Sequence, residues 1–167
     1  KPWTFEWEPL LLLIASIGIF LSIERGLFKH ANPSDIELLK NTYALFENEG
    51  GLSFFKNHDF GGYFVDAQLR PLEIFVISFR ENNRKFINQK IEVKKNEALL
   101  QAEKLLQLLS KHTFLLKSNY DIRKVYPEKH YDEITDIVKA INEQASLFYK
   151  TFADFIDIAQ KELKVSA

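Results

Sequence analysis

The chain has 167 residues, enough for one domain and a short additional segment. Apolar residues make up 46% of it and 15 are Phe, so a sizeable aromatic core is within reach. With 22 basic and 23 acidic side chains the formal net charge is -1, without the basic excess of a protein that wraps duplex nucleic acid, and the absence of cysteine excludes disulfides and thiolate metal sites and suits a reducing compartment.

Methionine is also absent, so the natural N-terminus is expected upstream of Lys1. Leu10–Ile23 carries no charge. Spanning a bilayer takes about 20 apolar residues, so this run alone is short, and a buried core helix is its first alternative. Three features favour lipid. Trp3, Phe5 and Trp7 stand where an aromatic belt would sit, and Pro9 suits a first helical turn. Ala15, Gly18 and Ser22 form a narrow stripe of small residues through which lipid-embedded helices approach one another. A cleaved secretory signal lacks support, because no cleavage pattern follows the run. The expected organisation is a membrane helix over residues 1–30 and a helical bundle over 31–167. Arg25, Lys29 and His30 follow the run and place the bundle in the cytoplasm by the positive-inside tendency. Glu6 and Glu8 would sit among headgroups or, in an assembly of several copies, ring an aqueous pore with carboxylates.

Past Asn32-Pro33, Ser34 and Glu37 form a capping-box pattern that predicts a helix with Ile36, Leu39, Tyr43 and Phe46 on one face, stopped by Gly50-Gly51. Residues 52–70 are loop-like, and within them His58-Asp59 has the look of a site, but the reading preferred is an Asx-type turn fixed to the core by Phe60 and Phe64. Pro71 opens a helix carrying Leu72, Phe75, Ile77 and Phe79. A long helix follows from Asn88 to His112, its buried face marked by Ile91, Ala98, Leu99, Ala102, Leu105, Leu106 and Leu109. Ile134, Val138, Ile141, Ala145, Phe148, Phe152, Phe155 and Ala159 alternate spacings of four and three, a heptad seam that predicts a last helix packed antiparallel on the previous one through residues 113–129. No strand pattern is recognised, so the expected fold class is all-α.

His30, His58, His112 and His130 show no metal-ligand spacing, and neither a metal nor a cofactor is expected. One constellation bears on chemistry: Arg123 and His130, immediately before the last helix. An Arg–His pair suffices for metal-free RNA cleavage, the His moving the proton of a 2′-hydroxyl or leaving oxygen and the Arg holding charge on the phosphate. Chance placement is the competing interpretation, because Pro127 breaks the chain between them and Lys117, Lys124 and Lys129 make the stretch a solvated basic loop.

A hydrophobic N-terminal helix, a small helical bundle and an R-x6-H spacing at Arg123 and His130 together resemble the small membrane accessory proteins of type VI-B CRISPR systems, over essentially the whole chain. The resemblance implies a HEPN-like bundle and a ring-shaped homo-oligomer, an octamer, that forms a pore in the bacterial inner membrane. It also implies a functional link to an RNA-guided RNA nuclease, with antiviral defence strengthened by membrane depolarisation. The chain departs from active HEPN nucleases in having Lys124 where a polar Asn, Asp or His usually follows the arginine, and in having Pro127 inside the motif. Both departures point the motif toward bundle structure, assembly or RNA-linked regulation. Three functions follow as expectations: a non-enzymatic pore, a membrane-tethered metal-independent ribonuclease acting on RNA through Arg123 and His130, and a membrane-anchored adaptor whose heptad seam or Phe-rich faces bind a partner helix.

Overall fold

The computed structural model describes residues 32–47, 51–80, 84–116, 119–125 and 131–165. The chain divides into two units, residues 1–31 and 32–167, and every described residue belongs to the second. The expected membrane helix, with Glu6, Glu8, Ala15, Gly18 and Ser22, lies outside the described residues. Among those described, no helix is long and apolar enough to cross a membrane.

The elements are α1 (Pro33–Ala44), α2 (Gly51–Asn57), β1 (Phe64–Val65), a 3-10 turn (Asp66–Leu69), α3 (Arg70–Arg80), α4 (Gln89–His112), β2 (Thr113–Leu116), β3 (Asn119–Val125) and α5 (Tyr131–Leu163). The fold is thus mostly helical. The all-α expectation needs one correction: three short strands form an antiparallel sheet in the order β1-β3-β2. They escape pattern recognition because β1 has two residues, and β2 follows α4 without a break, Thr113 being both helix cap and first strand residue.

Helix boundaries shift for local reasons. The Asn32 side chain, not Ser34, caps α1 by accepting from the Ser34 N–H at 2.9 Å, and Pro33 occupies the first helical position, which its fixed φ suits. The helix ends at Ala44, well before the glycine pair. Gly51 instead opens α2 with φ +48°, and a Cβ there would come 2.3 Å from the Phe46 carbonyl oxygen. The segment expected to be loop contains α2 because Phe54 and Phe55 bury against the bundle; so short a helix draws its stability from packing, not from propensity.

The heptad seam is borne out. Ile141, Ala145, Phe148, Phe152, Phe155 and Ala159 are buried, while Ile134 and Val138 near the start of α5 are half-buried. Helices α4 and α5 form the main packing pair. They run antiparallel, as three cross-links at opposite progressions show: Gln144 Nε2 donates to the Gln101 carbonyl (3.1 Å), Lys94 pairs with Asp154 (2.9 Å) and Lys90 with Glu162 (2.9 Å). Phe46 just after α1, Phe55 on α2 and Phe75 on α3 close the core against Phe148 and Phe152 of α5, with Phe46 and Phe152 centroids 4.5 Å apart. Tyr43 and Ile77, expected on buried faces, are exposed, and Ile36 and Leu106 are half-buried.

Two ends of this bundle differ in kind. At one, α1 begins beside the start of α4 and the end of α5: Asp35 accepts from the Ile87 and Asn88 N–H groups (2.8 and 2.9 Å), and Asn88 Nδ2 donates to Glu162 (3.5 Å). At the other, α4 runs into the sheet and α5 starts. α4 is 24 residues long, so the ends lie about 36 Å apart.

Candidate functional site

Arg123 sits in the middle of β3, paired across the sheet with Phe64 on β1 and Leu115 on β2. Its side chain is 22% exposed. The guanidinium Nε donates to Asp66 Oδ1 on the 3-10 turn, and Nη1 donates to Thr113 Oγ1 at 3.5 Å. Thr113 is itself buried and donates to the Leu109 carbonyl at 2.7 Å. Arg123 therefore joins the turn, the sheet and the end of α4, a positioning task that uses two of its donors.

Beside this ion pair opens a hollow of about 470 Å³ lined by Val65, Asp66, Ala67, Arg70, Glu73 and Asp121. Three carboxylates stand against Arg70 there, so an incoming phosphate meets a balance tilted toward negative charge and competes with Asp66 for Arg123. Lys124 behaves differently from its neighbour. Its amine lies 4.7 Å from the Tyr63 ring centroid and donates to the Tyr63 hydroxyl at 3.4 Å. His130 lies outside the described residues, as do Pro127 and Lys129, so the structure places Arg123 alone of the expected pair.

The turn at His58-Asp59 is an Asx turn as expected. Asp59 Oδ1 accepts from the Gly61 N–H at 3.0 Å, the Asp59 carbonyl accepts from the Gly62 N–H at 2.9 Å, and Phe60 and Phe64 are buried. What spacing did not reveal is the clamp from α5: Asn142 Nδ2 donates to Asp59 at 2.9 Å while its Oδ1 accepts from the Phe60 N–H at 3.0 Å. A polar Asn142 directly after the seam residue Ile141 is the one trace of it in the sequence. These bonds, Asn142 first and Gly61 second, hold the Asp59 carboxyl below its ordinary pKa. His58 stacks on Phe54 (centroids 4.8 Å apart) and meets Phe60 and Phe64 edge-on, and its buried Nε2 has no hydrogen-bond partner among the described residues. Burial pushes its pKa down, against a smaller upward pull from Asp59.

Sequence patterning also missed Lys95. It lies on the apolar face of α4, four residues after Ile91, and is buried. Its amine donates to Glu92 Oε1 at 2.8 Å and lies 5.0 Å from the Phe79 centroid, while Glu92 Oε2 accepts from the Phe86 N–H at 2.9 Å. A lysine at a core-facing step of the helical period was the available signal.

No protein-family model, curated protein or solved structure matches the chain. The fold itself defines a mostly helical bundle completed by a three-stranded sheet.

Proposed function

We propose that the protein is a membrane-anchored helical bundle that assembles with copies of itself into an inner-membrane pore, and that it acts in RNA-guided CRISPR defence by depolarising the membrane. The observation that carries the proposal is the uncharged run Leu10–Ile23, preceded by Trp3, Phe5 and Trp7 and marked by the small stripe Ala15, Gly18 and Ser22. The HEPN-like character of the bundle and the octameric ring belong to the same proposal and rest on the resemblance alone. The Asp66–Arg123 pair supports the non-enzymatic form, because it gives Arg123 a structural task and neutralises its charge.

The test is reconstitution of the full chain into lipid vesicles, with ion flux and particle mass read together. A closed ring and a flux abolished by Gly18→Leu are expected; freely soluble monomers without flux would overturn the proposal. Glu6→Gln with Glu8→Gln should change the charge selectivity of that flux if these carboxylates line the channel.

The ribonuclease alternative rests on the spacing of Arg123 and His130 in the sequence. It requires RNA cleavage without added metal that vanishes in His130→Ala, and intact RNA after prolonged incubation eliminates it.

A further inference from the structure

The bundle end at which α1 begins carries a surface of unusual make-up. The segment after α3 is held there from below. Phe86 is buried and donates its N–H to Glu92, and the buried Asp35 carboxylate takes the Ile87 and Asn88 N–H groups. The outward side chains of this fixed segment are two cations and an apolar tip. Arg84 and Lys85 are exposed and border a hollow of about 340 Å³ together with Ser34, Glu37, Leu38 and Asn41. Ile87 is 63% exposed, more than any other large apolar side chain among the described residues. No ion pair joins Arg84 or Lys85 to another described residue, and Glu37 is the one carboxylate lining the hollow. Two cations beside an exposed isoleucine on a hydrogen-bonded loop match an interface where phosphate groups lie above hydrocarbon.

Chain length supplies the partner. Only Glu24–Ala31 separate the apolar run from Asn32, a reach of about 30 Å fully extended and roughly half that when helical. That tether also carries Arg25 and Lys29. Ser34 and the hollow beside it lie at the end of the bundle that follows this tether in the chain, and the sheet lies a helix length away at the other end.

We propose that Arg84, Lys85 and Ile87 form a second membrane contact, the two cations on the phosphates of acidic lipids and Ile87 dipping below them, so that the bundle is docked in one orientation on the bilayer surface. This proposal rests on the membrane-anchor interpretation and deepens it.

Because the chain has no cysteine, a single label can be placed anywhere. Full-length protein carrying a fluorophore at Ile87→Cys is mixed into vesicles of phosphatidylcholine alone or with phosphatidylglycerol, each with spin-labelled lipid as quencher; a Tyr63→Cys label at the sheet end is the control. Flotation reports the anchor separately. The expected result is flotation with both vesicle types and quenching at position 87, several-fold above position 63, in the acidic vesicles only. That quenching should weaken with salt and disappear in Arg84→Glu with Lys85→Glu. Flotation with position 87 unquenched in acidic vesicles, the outcome if an acidic protein partner used this surface, overturns the second contact and leaves the anchor standing. Failure to float with either vesicle type overturns the anchor and the docking together.

Discussion

The two ends of the bundle handle charge in opposite ways. Where α1 begins, two charged groups are out of water and in use: Asp35 is 1% and Lys95 2% exposed, the first accepting backbone N–H groups and the second paired with Glu92. At the sheet end the comparable pair, Asp66 with Arg123, is partly solvated on both sides. Burial raises both the attraction within a pair and the cost of taking one partner away, whereas solvent dilutes both. The first end should therefore be the more sensitive to substitution and the second the more tolerant.

The largest effect expected from this contrast is at Glu92. Glu92→Ala strands a buried ammonium and the Phe86 N–H, and should cost roughly 3–5 kcal/mol in denaturant unfolding. Lys95→Met should cost less, because the Glu92 carboxylate it leaves is 13% exposed and keeps the Phe86 N–H and the Asn96 amide as donors. Equal losses in the two variants would show that the pair is not buried in solution.

That contrast also marks where the sequence could be read and where it could not. Helices α4 and α5 were legible because their apolar residues repeat at helical spacing over many turns, long enough for period to exceed chance. Asn88 as the start of α4 follows from its side chain accepting from the Lys90 N–H at 3.0 Å, a local bond with a local signature. The sheet was illegible because its stability is non-local: Arg123 meets Phe64 and Asp66, each more than fifty residues away, and no spacing encodes that meeting. Lys95 stands at a core-facing step of the helical period, and Glu92 one turn back and the Phe79 ring make a buried charge tenable there. Of the expected site, Arg123 stands on β3 against Asp66, a carboxylate fifty-seven positions away that no spacing indicates, while His130 lies outside the described residues.

A medium effect separates the ends by pH. His58 lies at the sheet end with its pKa below the ordinary value because its ring is sunk among Phe54, Phe60 and Phe64. Above about pH 6.5 the imidazole is neutral in both folded and unfolded chains and contributes no pH dependence. As pH falls below that value the unfolded chain takes up a proton that the folded chain refuses, so stability declines, by at most about 1.4 kcal/mol per pH unit, until the folded pKa is reached. His58→Leu should remove this acid-side decline. Thermal unfolding of the two proteins between pH 5 and pH 7 checks it, the informative quantity being their difference, since the remaining histidines contribute equally to both. A difference that does not change with pH would mean the ring is hydrated.

The smallest effect is the most telling for function. Asp66→Ala breaks the ion pair with Arg123, but the pair is partly exposed and screened, so the loss should stay within about 1 kcal/mol. Arg123 keeps its bond to Thr113 and remains on β3, now without its ion-pair partner, while Glu73 and Asp121 still line the hollow with Arg70. If Asp66 is merely a structural partner, the variant unfolds slightly earlier and binds a short single-stranded RNA no better than the parent. If the carboxylate instead restrains a phosphate-binding arginine, the same variant should bind that RNA more tightly, with a steeper dependence on salt, because one more cation is free to displace counterions from the strand. A binding isotherm at two salt concentrations distinguishes these results. The non-enzymatic proposal requires the first, since an arginine released from its clamp should have no anion waiting for it.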